Sequence, residues 1–322
     1  MLSLLWAGYW GAATWSLRAG IAAWLDMRQS EGWQAEADLE TTGFPATIAV
    51  GLTDLALADP DTGLAIAAAR VDLSARTIWP ADVTVALPDT PIIVATPQGR
   101  GALEMQDGVL ALDTYPGTTL ALAQLGWTGA AWSINGPAGA LIEAASLTLT
   151  FTHAGGMAYD LHAAAPRFAP GAALRTQLRI PAAWPAVFDV AEAQGRIAFD
   201  RPWDRRALDD RRPQPVRIDI DRAEARWGDL RLRLAAALDV DARGVPTGTV
   251  NLRADNWPVM LDLAQTAGLL DSRTRPQAEA VLTRLASLGG RPDSLDVQLN
   301  FAAGLVAVGF IPVGPAPRLV LR

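Results

Sequence analysis

The chain of 322 residues contains no cysteine, no lysine and only two histidines. Without cysteine there is no thiol nucleophile, no thiolate metal site and no disulfide. The compartment stays open, because such a chain folds equally well under oxidising or reducing conditions. Without lysine there is no Schiff-base chemistry. All 27 basic residues are arginine, and against 34 acids they leave a net charge of −7. That balance argues against a general electrostatic affinity for nucleic acid. The phosphate-binding patterns GxxxxGKS, GxxxxGKT and GxGxxG are absent, as are GxSxG, HExxH and the EF-hand loop.

The two histidines, His153 and His162, flank Gly155-Gly156. A two-residue turn at those glycines pairs His153 with Ala158 and His162 with Leu149, which puts both imidazoles on one face. They would stand on the order of 13 Å apart, too far to share a metal. Asp219, Asp221 and Glu224 precede a turn and read as carboxylates on the solvent face of a strand. No catalytic residue, metal ligand or cofactor site is therefore expected.

What the chain has in quantity is apolar surface: half of its residues are hydrophobic and twelve are tryptophan. Five of these, Trp6, Trp10, Trp15, Trp24 and Trp33, fall in the first 33 residues. Residues 2–17 carry no charge, and apart from Arg18 the apolar character runs on to Leu25. With Arg18 snorkelling, the run reaches the roughly 20 residues of a membrane span. Trp6, Tyr9, Trp10 and Trp15 are the aromatics expected at headgroup depth, so residues 1–33 read as a membrane anchor. The missing basic n-region speaks against a cleaved signal peptide. The other reading is a helix packed on the domain through the stripe Trp10, Thr14, Leu17, Ile21, Trp24 and Leu25.

The body alternates. In residues 230–240 the even positions Leu230, Leu232, Leu234, Ala236, Leu238 and Val240 are apolar, while Arg231, Arg233 and Asp239 are odd. That is the period of a strand with one dry face. Turn residues at 227–229 and 241–244 join it to flanking strands in an antiparallel meander across residues 216–255. Leu147, Leu149 and Phe151 alternate with threonines, and Leu299 and Phe301 with Asp296, Gln298 and Asn300. With Leu252 they extend the same dry face. Asp107-Gly108 reads as a type I′ hairpin placing Met105 opposite Leu110 and Leu103 opposite Leu112. Residues 174–180 read as a strand and 181–185 as a linker. Asn256 caps a first late helix, and Pro276 opens a second that Gly289-Gly290 ends. A final strand is expected at 318–321.

The expected fold is mainly β: antiparallel meanders forming curved or sandwiched sheets, with an N-terminal apolar helix and a late helical pair. Three regions follow, 1–33, 34–185 and 186–322, the last with its helical insert near 256–289. The dry face, through Leu147, Leu149, Phe151, Leu230, Leu232, Leu234, Leu238, Leu252, Leu299 and Phe301, either lines a concavity open to lipid or closes into an ordinary core.

Several segments together resemble an uncharacterised bacterial family: WAGYW at 6–10, IAAW at 21–24, EGW at 31–33, TGFP at 42–45 and LTDLALADP at 52–60. ATP at 95–97, WGD at 227–229, GVPTG at 244–248, GFIP at 309–312 and APR at 316–318 are similar to its later landmarks. The resemblance covers essentially the whole chain. It implies a Gram-negative envelope protein, anchored in the inner membrane and facing the periplasm. The family generally has a longer, basic-led N-terminus, whereas this chain begins almost inside the apolar segment. The layout is also similar to AsmA-like envelope proteins, an analogy of architecture that implies lipid handling. Membrane lipid and envelope proteins are the expected partners. The function expected is non-catalytic lipid binding along the sheet, or a structural module of the envelope with a closed core.

Overall fold

The computed structural model describes residues 2–209, 211–288, 291–309 and 311–321. Strand makes up 51 % of it, so the fold is mainly β. The chain divides into two compact units, Met1–Leu147 and Thr148–Arg322.

The first unit contains α1 (Leu2–Ser30), β1 (Gln34–Thr42), β2 (Thr47–Asp59), β3 (Leu64–Arg76), β4 (Trp79–Ala86), β5 (Ile92–Thr96), β6 (Gly99–Met105), β7 (Val109–Thr114), β8 (Leu122–Gly129), β9 (Trp132–Gly136) and β10 (Gly139–Ala144). β1, β2 and β3 form an antiparallel meander. Its second turn closes where Asp59 accepts from the Asp61 amide at 2.9 Å and the Thr62 hydroxyl at 2.8 Å. Beyond it β3 forks, pairing with β4 through Asp72–Arg76 and with β5 through Ala65–Ala67. One arm continues β4, β7, β8; the other β5, β6, β9, β10.

The fork overturns the hairpin expected at Asp107-Gly108. Met105 pairs with Trp132 and Leu103 with Ile92 and Ile134, while Leu110 pairs with Val85 and Trp127. The chain crosses between arms there instead of turning back. Asp107 takes a φ of 50° and Gly108 does not follow it to positive φ, which a type I′ turn demands at both positions. The buried Met105 fills the corner, its sulfur 2.5 Å from where a Cβ on Gly129 would sit.

α1 lies on β1 and β2. Thr14 and Leu25 are buried, and Trp10, Leu17, Ile21 and Trp24 half-buried, so the stripe that reads as a packing face is one. Gln29 Nε2 donates to the Ala35 carbonyl at 2.6 Å, and Arg28 lies over the rings of Trp24 and Trp33 at 5.5 and 5.4 Å. Among the described residues no helix is long and apolar enough to cross a membrane.

The second unit takes in β11 (Leu147–Gly155, starting on the last residue of the first unit), β12 (Ala158–Ala164), β13 (Ala169–Pro170), α2 (Ala172–Gln177), β14 (Val190–Phe199), α3 (Arg206–Asp209), β15 (Pro215–Trp227), β16 (Leu230–Val240), β17 (Pro246–Asp255), α4 (Trp257–Thr266), α5 (Arg275–Leu288), β18 (Ser294–Ala302), β19 (Leu305–Val308) and β20 (Ile311–Pro315). Strands β11, β12, β14, β15, β16, β17, β18, β19 and β20 pair in that order, each antiparallel to the next. The meander at β15–β17 is therefore as expected, its first turn made by Gly228 at φ 58°.

Several local expectations give way. Residues 174–180 form the end of helix α2 and the turn after it rather than a strand, and Arg175 holds the carbonyls of Pro181, Trp184 and Pro185 at 3.3, 3.1 and 3.0 Å. That ties residues 181–185 into the second unit. Asn256 stands at the N-cap of α4 in the left-handed region, φ 60°, without a side-chain capping bond. The helix end expected at Gly289-Gly290 lies outside the described residues. At 318–321 there is no strand; the segment is fastened by Leu319 N–H to Gly244 O at 2.8 Å and by Gln214, whose side chain bonds the Leu321 backbone twice.

Candidate functional site

The register of the second unit sets its apolar residues in rows across the sheet. One row runs Leu149, Ala163, Ala193, Ala223, Leu234, Leu252, Val297. The next runs Phe151, Leu161, Gly195, Ile220, Ala236, Val250, Leu299, Val308. A third runs Tyr159, Ile197, Ile218, Leu238, Gly248, Phe301, Val306. Residues paired across antiparallel strands point to the same side, so these rows form one face. Leu230 and Leu232 continue it beside Trp227 and Ala254, and Leu147 stands on it by its alternation with Leu149 and Phe151. All ten candidate lining residues thus share one face.

That face is uneven. Ala163, Ala191, Ala193, Gly195, Ala223 and Ala225 make a floor of short side chains on β12, β14 and β15. Large residues stand round it: Leu149, Phe151 and Leu161 on one side, Leu232 and Leu234 on the other. Most of the face is only half-buried, including Leu161, Ile197, Ile218, Ile220, Leu234, Leu252, Leu299 and Phe301. Two aromatic groups flank it. Phe188 stacks on Trp227 at 4.9 Å with Trp184 edge-on to Trp227 at 5.5 Å, and Phe151 stacks on Tyr159 at 4.7 Å with Phe199 edge-on to both. The helical pair covers a further part, where Trp257, Leu261 and Ala286 pack on Ala254 and Leu295. Trp257 and Trp227 are each anchored by an indole bond, to Pro292 O at 2.9 Å and to Pro185 O at 2.8 Å.

The reverse face carries the charge. Glu224 is buried under Arg231 and Arg222, whose guanidinium groups donate to it at 2.7 and 2.5 Å; the bond from Arg231 leads in holding its carboxyl below the usual range. Burial pushes Asp255 upward, but bonds from Ser294, Arg233 and Arg253 outweigh it and bring the carboxyl down to about 2. Ions are thereby confined to one side of the sheet and hydrocarbon to the other.

The two histidines part company. Gly155 pairs with Ala158 and a bulge precedes it, so His153 lies opposite Tyr159 and His162 opposite Thr150. His153 therefore shares the apolar side with Tyr159, while His162 is exposed on the other. Among the described residues no cluster of histidine and carboxylate side chains is placed to hold a metal ion.

The N-terminal candidates lie in the first unit. Trp6, Tyr9 and Trp10 do not leave their polar atoms to solvent: they donate to Pro45 O at 3.1 Å, Thr77 O at 2.9 Å and Thr47 O at 2.6 Å. Trp15 and Arg18 are exposed. Below this helix a cleft of about 450 Å³ opens against β1, lined by Asp26, Glu36, Asp38 and Asp54 among others. Sequence reasoning passed over it, because these acids are scattered along the chain. Glu36, Asp38 and Asp54 meet through a bulge between Glu36 and Asp38, opposite which Asp54 adopts φ 52°, and Asp26 comes from α1.

The family described as uncharacterized protein conserved in bacteria (DUF2125) matches residues 10–317. No curated protein matches the chain.

Proposed function

The chain belongs to that family of conserved bacterial proteins, and from this premise we propose that it is a non-catalytic envelope protein that holds the apolar part of a lipid against the second unit's sheet. One observation carries the reading: three adjacent rows of apolar side chains, half-buried, with an alanine and glycine floor between taller residues and aromatic groups at the margins. A single acyl chain needs contact along its length and no polar partner, which is what such a floor supplies. A sheet in this unit curved about the floor suits the same ligand, and short side chains there keep the ligand close to the backbone. The expected placement at the inner membrane, facing the periplasm, belongs to the same proposal, since a lipid carrier works beside its source.

Native mass spectrometry of protein purified without detergent tests it, together with titration of a fluorescent fatty acid. Wild-type protein is expected to carry or take up lipid. Ala193→Trp, which fills the floor, should weaken uptake about tenfold or more, while Asn251→Trp on the reverse face should not. Clean apo protein that takes up no fatty acid overturns the reading and leaves the closed-core module in its place.

A further inference from the structure

Three segments distant in sequence meet at one end of α1 and turn large apolar side chains outward. From the helix come Leu4 and Leu5, 77 % and 72 % exposed; from the connection before β2 comes Phe44, 57 %; from the turn after β3 and the first residue of β4 come Ile78 and Trp79, 78 % and 43 %. They are held together by the bonds already described. Trp6 reaches Pro45 O, Trp10 reaches Thr47 O and packs edge-on to Phe44 at 5.2 Å, and Tyr9 reaches Thr77 O. The Thr77 hydroxyl closes the set by donating to Pro45 O at 3.3 Å. The indoles of Trp6 and Trp10 and the phenol of Tyr9 are thus spent inward, and the outward side chains are large and apolar. Isolated exposed apolar residues need no explanation, but a tip assembled from three segments does.

The charge around the tip singles out its partner. The tip's own segments, residues 2–17, 41–53 and 73–81, contain no carboxylate, in a chain whose net charge is −7. Their only charged side chain is Arg76, which is exposed. An apolar tip with Arg76 paired beside Trp79, built from segments free of acids, complements a bilayer with anionic headgroups. We infer that this tip inserts into the surface of such a bilayer, with α1 lying on its own protein rather than crossing the membrane. Leu4, Leu5, Phe44, Ile78 and Trp79 enter the acyl boundary, and Arg76 meets the headgroups. This goes beyond the sheet-face reading and does not depend on it.

Co-sedimentation of the full chain with vesicles of phosphatidylcholine, with and without phosphatidylglycerol, tests the inference. The protein should bind the anionic vesicles, more weakly at high salt. Ile78→Glu and Leu5→Glu, which touch only exposed positions, should each reduce that binding about tenfold or more with the circular dichroism spectrum unchanged. Failure of the wild type to sediment, or undiminished binding by both variants, overturns it. So does self-association that Ile78→Glu abolishes in a protein indifferent to vesicles, which would assign the tip to a second copy of the chain. Fatty-acid uptake is measured separately without vesicles, so the tip and the sheet face can each fail alone.

Discussion

Gly195 of β14 lies opposite Ile220 of β15 at the centre of the apolar face, so close that a Cβ on the glycine would stand 2.9 Å from the Ile220 Cα and 2.4 Å from the Asp219 carbonyl oxygen. Both neighbours are backbone and cannot swing aside. The register shifts by one residue here, between Gln194 and Gly195, and the glycine lets the bulged ladder close. Gly195→Ala is therefore expected to destabilise the protein by about 1–3 kcal/mol, read as a lower denaturation midpoint in urea. An unchanged midpoint would mean that the two strands separate freely at this point.

Asp255 makes stability depend on acid. Its folded carboxyl titrates near 2, below its ordinary 3.8, so it contributes stability that is fully present above the unfolded value and lost as pH falls through the folded one. Asp255→Asn should cost about 2 kcal/mol at neutral pH, and the gap to wild type should narrow steadily below about pH 4. Urea titrations at pH 7, 4 and 3 measure it; a gap constant with pH would assign the loss to packing instead.

Much of this arrangement was legible before the structure, and the parts that were not share a cause. Period-two alternation from Leu230 to Val240 and turn chemistry at Gly228 determine a strand and its hairpin locally, so β15, β16 and β17 fall where the pattern puts them. All ten lining candidates then share a face because regular antiparallel register carries the alternation from strand to strand. Where register slips, the reading slips with it. The bulge before Gly155 moves the turn by one residue and sends His153 and His162 to opposite faces, as a one-residue shift must. At Met105 and Leu110 the alternation is real, yet it suits a crossover between two arms as well as a hairpin. The choice between them is made by pairings with strands distant in sequence, Met105 with Trp132 and Leu110 with Val85 and Trp127.

The aromatic N-terminus shows the same limit in another form. That Trp6, Tyr9 and Trp10 need both an apolar bed and a polar partner follows from their chemistry. Whether a lipid headgroup or a carbonyl such as Pro45 O receives the indole N–H depends on segments 37 and 39 residues away. Residues 174–180 fail for a related reason: their apolar spacing is short, and Arg175 finds its three carbonyl partners only beyond the end of α2.

The helical pair depends on Trp257, 4 % exposed, which packs with Leu261, Ala254 and Leu295 and anchors to Pro292 O. Trp257→Ala removes both the ring and the bond, and should cost about 3–5 kcal/mol. Near-ultraviolet circular dichroism should also lose part of its indole signal. Trp257→Phe keeps most of the packing and should cost less, about 1–2 kcal/mol from the forfeited hydrogen bond and the smaller ring. Equal losses in the two variants would locate the stabilisation in the hydrogen bond alone.

Thr14 sits at the centre of the buried side of α1, 3 % exposed, and among the described residues its hydroxyl oxygen has no hydrogen-bond partner. A hydroxyl removed from water without a partner costs free energy, whereas its methyl group packs as a valine's would. Valine has nearly the same shape and the same branched, restricted χ1. Thr14→Val should therefore raise stability, by about 1 kcal/mol, with the gain read as a higher urea midpoint at unchanged slope. Thr14→Ser keeps the hydroxyl and deletes the methyl, so it should move the midpoint the other way. A Thr14→Val variant less stable than wild type would show that the hydroxyl finds a partner in solution, and that this face of α1 is wetter than its packing against β1 and β2 implies.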